Sequence, residues 1–123
     1  MKPISDAESI LMQVLWQKGE ATAEDLRAAV AERTDWQPGT VKALLNRLLN
    51  KGAIRAEREG RRFRYRPVLE REDYVAEQSR SLLDRLFDGR VAPLVAHFNE
   101  HQALSKSDID DLRRLIRELD DDQ

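Results

Sequence analysis

The sequence predicts a mainly α protein: a winged helix-turn-helix over residues 1–68, then three helices over residues 69–123. Three observations point there. Three short stretches with helical apolar spacing follow one another closely, each with a recognisable start or stop. An arginine-rich stretch of period two comes next, and from Glu70 the helical spacing returns.

Ser5 followed by Glu8 is a capping box, and it opens a first helix with the apolar stripe Ile10, Leu11, Val14 and Leu15. Gly19 supplies its stop. Thr22 caps a second helix, with Asp25 as a weaker echo of the same box and Leu26, Ala29 and Val30 expected inward. Asp35-Trp36-Gln37-Pro38-Gly39 reads as the turn, where Pro38 suits a first helical position. Helix three runs from about Pro38 to Lys51, and Gly52 ends it. After Gly52, Phe63 and Tyr65 share one face of a strand while Arg62, Arg64 and Arg66 share the other. Ile54, Ala56 and Arg58 alternate likewise across a turn at Glu59-Gly60. The expected product is a two-stranded wing whose apolar side, Phe63 included, packs on the helices. Trp16 and Trp36 are expected in the core or at its edge.

The remaining helices carry Tyr74 to Phe87, then Val91 to Phe98, then Ile109 to Leu119, the last capped by Ser105 with Asp108. Three helices this short enclose little core alone, and small sub-domains usually complete their cores by oligomerising. Leu82, Leu86, Val91, Leu94, Val95, Phe98, Leu112, Ile116 and Leu119 are therefore the expected dimerisation residues of a homodimer.

Composition removes several function classes. The chain has 123 residues and no cysteine, so disulfides and thiolate metal sites are out. Its two histidines, His97 and His101, stand at i, i+4 with no third ligand at sensible spacing, so surface histidines are expected and no metal or cofactor. No apolar run approaches the roughly 20 residues that span a bilayer, and the start MKPISDAES lacks the apolar core of a signal peptide. A cytoplasmic protein without membrane insertion is expected. No nucleophile-base pair, phosphate loop or metal cluster supports an enzyme.

Charge points to a partner. Residues 37–66 hold nine basic side chains against two acidic ones, a net of +7 in a chain of formal charge -2. Such a concentrated field suits a polyanion, because each neutralised phosphate releases a condensed counterion. Residues 67–123 have a net charge of -6, so that half serves another purpose. On helix three, Val41, Leu44, Leu45 and Leu48 cluster toward the core. The opposite face is Gly39, Ala43, Asn46 and Asn50, flanked by Thr40, Lys42 and Arg47. Small side chains let a helix sink into the major groove, where methyls, Asn and Arg can meet base edges. Arg61, Arg62 and Arg64 of the wing are the expected backbone contacts of a double-stranded DNA operator. A winged-helix protein-interaction module is the alternative, disfavoured by the +7 segment and the small-residue face.

The motifs ISDAESILMQVLW, DWQPGTVKALLNRLLNKGAI, RRFRYRP and LSKSDIDDLRRLIREL resemble, in that order and over essentially the whole chain, the BlaI/MecI family of penicillinase and methicillin-resistance repressors. The resemblance implies a homodimeric transcriptional repressor with an N-terminal winged helix and a C-terminal dimerisation domain. It carries recognition-helix contacts onto Thr40, Lys42, Ala43 and Arg47, with help from Arg62. Position 43 is Ala where relatives often have Thr, and position 39 is Gly where Lys is common. The resemblance further implies release by proteolysis in the dimerisation domain, at a bond matching His97-Phe98, by a β-lactam-sensing membrane protease. Phe98 is kept there and the preceding Asn is not. The copper-responsive branch uses C-terminal cysteines, which this chain lacks.

Overall fold

A computed structural model describes residues 2–122. The elements run α1 (Asp6–Lys18), β1 (Ala21–Thr22), α2 (Ala23–Val30), α3 (Pro38–Asn50), β2 (Ile54–Glu59), β3 (Arg62–Pro67), α4 (Arg71–Leu86), α5 (Val91–Glu100) and α6 (Lys106–Asp121). The chain divides into two compact units, residues 1–76 and 77–123.

Local chemistry sets the boundaries in the first unit. The Ser5 hydroxyl accepts from the Glu8 amide at 3.1 Å and the Glu8 carboxylate accepts from the Ser5 amide at 3.2 Å, closing the capping box. The second box is equally complete, with Thr22 and Asp25 bonded reciprocally at 3.1 and 3.2 Å. Asp at the third position is thus no weaker in geometry than Glu. Helix α3 ends where Gly52 takes φ +75° and Ala53 N–H reaches back to the Leu48 carbonyl, a left-handed cap that favours glycine.

The core forms where the apolar stripes meet. Leu11, Leu15, Leu26, Val30, Val41, Leu45 and Leu48 are buried, as is Met12, which the stripe reading did not single out. Ala29, expected inward, is exposed. Alanine is small enough to sit on either face, so helical spacing alone does not fix which one it takes.

The wing is larger than two strands. The sheet order is β1-β3-β2, antiparallel throughout, with Ala21 opposite Tyr65 and Glu59 opposite Arg62. Gly60 and Arg61 form the turn, with Gly60 at φ +63°. Tyr65 is buried, but Phe63 is 48% exposed. Both residues keep the expected face, yet the hairpin tip extends past the helices that cover Tyr65.

The first unit also extends beyond residue 68. Trp16 donates its indole N–H to the Leu69 carbonyl at 2.8 Å, and its ring lies 5.5 Å from that of Tyr74. These contacts hold the start of α4 on α1, within the compact unit that runs to Ala76.

In the second unit no described residue of α5 or α6 is fully buried. Leu82, Leu94, Val95 and Leu112 are half-buried, whereas Leu86, Val91, Phe98, Leu115, Ile116 and Leu119 are exposed. Ser105 and Asp108 close a third capping box at the start of α6. A single copy leaves a broad apolar surface here, more than isolated surface leucines would explain.

Candidate nucleic-acid interface

Helix α3 and the wing make one basic surface. Gln37 precedes the helix in extended conformation and Pro38 occupies its first position. No acidic residue stands in its first turn. The inward side is Val41, Leu44, Leu45 and Leu48, all buried, which turns Gly39, Thr40, Lys42, Ala43, Asn46, Arg47 and Asn50 to solvent. Rigid packing on one face therefore fixes the presentation of the other.

A groove of about 380 Å³ lies between α3 and the wing. Lys42, Asn46 and Leu49 line one wall, and Arg61, Arg62, Phe63 and Tyr65 line the other. Glu24 is the one acidic side chain on its rim. A second hollow of about 610 Å³ runs under the start of α3, between Ala28, Ala31, Trp36, Pro38 and Val41. The Arg27 guanidinium donates to the Trp36 carbonyl at 3.4 Å and ties α2 to the turn.

Ion pairing sorts the nine basic side chains of residues 37–66. Lys51 is committed to Glu8 at 2.5 Å, beneath the surface. Arg55 lies 3.9 Å from Glu57. Arg66 is held by Glu20 at 2.8 Å and Glu57 at 3.8 Å. Arg64 donates to Glu59 and lies 3.9 Å from Glu20. The Glu59 bond, with its charge, holds the Arg64 guanidinium more firmly in its protonated form. Arg58 donates to the Gly60 carbonyl at 3.1 Å and braces the turn. Lys42, Arg47, Arg61 and Arg62 make no ion pair among the described residues.

The structure thus brings Lys42, Asn46, Arg61 and Arg62 to one groove, with Gly39, Thr40, Ala43 and Arg47 exposed on the same helix. Arg64 stands apart from them. It shares a strand face with Arg62, but its guanidinium turns away from the groove toward Glu20 and Glu59.

The penicillinase repressor family model matches residues 4–118. The chain belongs to that family. It is 33% identical over 115 residues to the penicillinase repressor of Bacillus licheniformis, covering 94% of this chain and 90% of the relative. It is 30% identical over 113 residues to the methicillin resistance regulatory protein MecI of Staphylococcus aureus, covering 92% of each. Among solved structures, the monomeric form of Bacillus licheniformis BlaI in complex with the blaP half-operator aligns with a TM-score of 0.52 and 34% identity. That alignment spans 59% of this chain and 89% of the other.

Elsewhere in this family member, His97 and Phe98 lie on α5, both exposed, with ring centroids 6.0 Å apart. His97 and His101 approach to 4.3 Å. Among the described residues no three His, Cys, Asp or Glu side chains are grouped to hold a metal ion. No described helix is long and apolar enough to cross a membrane. Two features of this surface escaped the sequence. Phe63 is a groove residue because the hairpin outreaches the core, and Glu20 reaches the wing through β1. Neither strand length nor charge spacing signals such a contact.

Proposed function

We propose that this chain represses transcription by binding a palindromic DNA operator as a homodimer, with the α3-wing surface of each copy on one half-site. The observation that carries the reading is the gathering of unpaired Lys42, Arg47, Arg61 and Arg62 around a helix face of small residues. The DNA-bound form of the Bacillus licheniformis relative supports it. Gly39 and Ala43 allow close approach of α3 to the major groove. Thr40 and Ala43 offer methyls to thymine, while Asn46, Lys42 and Arg47 offer polar contacts to base edges. Arg61 and Arg62 at the wing tip meet phosphates, which fix register without reading sequence.

Two copies are needed because one small module buries only about 600–1,000 Å² on DNA. The apolar stripes around Leu86, Val91, Phe98, Ile116 and Leu119 join them. Release follows cutting at His97-Phe98, by a membrane sensor protease in a β-lactam or cell-wall-stress response in the cytoplasm. The bond lies near the end of α5, where fraying of the last turn gives a protease the extended backbone it requires.

The test separates base reading from backbone contact. Arg62→Ala should weaken binding to every duplex alike and lower the salt slope by about 1. Lys42→Ala or Arg47→Ala should cost about 1–3 kcal/mol on operator and much less on random duplex. Equal losses on both duplexes would assign Lys42 and Arg47 to the backbone.

A further inference from the structure

The outer face of the wing carries an arrangement that DNA binding alone does not require. Glu20 immediately precedes β1, whose pairing with β3 sets Ala21 opposite Tyr65 and Thr22 opposite Arg64. That short strand delivers the Glu20 carboxylate to Arg66 at 2.8 Å and to Arg64 at 3.9 Å. Glu57 stands opposite Arg64 in the ladder, yet its carboxylate lies 3.8 Å from Arg66. Glu59 stands opposite Arg62 and instead takes the Arg64 guanidinium on the diagonal. Arg66 makes both of its carboxylate contacts through one terminal nitrogen, while its side chain as a whole stays 42% exposed. Arg64 and Arg66 therefore share three carboxylates, while Arg62 is left unpaired beside the groove.

We propose that Glu20, Glu57 and Glu59 form a clamp that withholds Arg64 and Arg66 from phosphates, confining the wing's backbone contacts to its tip and limiting sequence-indifferent affinity. The inference rests on the DNA-binding reading above. Exposed ion pairs of this kind add little to folding stability, so stability alone does not account for three carboxylates on two arginines. Their effect on a polyanion is larger. A phosphate reaching Arg64 would displace Glu59 and then sit beside its negative charge. Both effects oppose engagement. Non-specific binding rises with every phosphate neutralised, regardless of sequence, so two silent arginines widen the gap between operator and random DNA.

The full-length chain tests this by fluorescence anisotropy with a labelled random-sequence duplex, titrated at several KCl concentrations. Glu59→Gln should steepen the salt slope by about 0.9, tightening binding about 3-fold more at 50 mM than at 200 mM salt. Arg64→Ala alone should leave the wild-type slope unchanged, because that arginine is withheld. The double variant Glu59→Gln/Arg64→Ala should return to the wild-type slope. Glu72→Gln, an exposed carboxylate on α4 outside any ion pair among the described residues, controls for the added net charge. A Glu59→Gln slope equal to that of Glu72→Gln, or a slope lowered by Arg64→Ala alone, would overturn the clamp. Wild-type protein that binds no duplex would instead overturn the DNA-binding reading and the clamp with it.

Discussion

Replacing Ile116 and Leu119 together by aspartate is expected to lower affinity for a two-half-site duplex by about 10²–10⁴-fold, with half-site affinity unchanged. Ile116 is 56% and Leu119 64% exposed in the single chain, so neither supports the fold of its own copy. Carboxylates there burden only an interface that buries them, where an unpaired charge is costly. The loss arises because the second half-site no longer binds as part of the same molecule. Sedimentation should show a dimer for the wild type and a monomer for the variant. A fragment of residues 1–97 should behave like the variant: folded in its N-terminal unit, monomeric, and weak on operator. A doubly substituted protein that stays dimeric would place the interface elsewhere and leave cleavage at His97-Phe98 without its effect.

Lys51→Met is expected to cost about 3–5 kcal/mol of stability in the N-terminal unit, read from the urea midpoint by the fluorescence of Trp16 and Trp36. Lys51 emerges just past α3 and reaches the Glu8 carboxylate at 2.5 Å and the Pro3 carbonyl at 2.8 Å. Its side chain is 18% exposed, and that of Glu8 only 2%. Removing the ammonium leaves a buried carboxylate with one oxygen lacking any partner and the other bound only by the Ser5 amide. Burial raises the Glu8 pKa, but the bonds from Lys51 and Ser5 outweigh it and the net shift is downward. A depressed folded-state pKa contributes stability that is complete above the usual glutamate range and lost as pH falls through it. The wild type should therefore lose part of its stability on acidification toward about pH 4, and Lys51→Met should lose much less. A variant with an unchanged urea midpoint would reduce the pair to a surface contact.

Much of the N-terminal unit was legible because its signals are local. Ser5 and Thr22 each cap within four residues, as Ser105 does in the second unit, and Val41, Leu44, Leu45 and Leu48 repeat at helical spacing. Nonlocal contacts escaped. Strand β1 is two residues long, too short for any period, and exists only because β3 pairs with it. The hydrogen bond from Trp16 to Leu69 crosses 53 residues and extends the unit beyond Pro67. Charge counting gave the wing its sign but not its pairing. Arg62 and Arg64 look alike in sequence, and only Glu20 and Glu59 distinguish them in space. Phe63 kept its predicted face and lost its predicted cover, because alternation reports direction and not depth.

Selection of duplexes from a random-sequence pool by the full-length chain tests most directly whether α3 reads DNA in a two-fold assembly. A DNA-binding homodimer enriches an inverted repeat of one half-site, and Lys42→Ala or Arg47→Ala relaxes the enriched bases in both halves equally. A pool that stays random under wild-type selection, or a repeat that both substitutions leave unaltered, would contradict sequence reading by this helix.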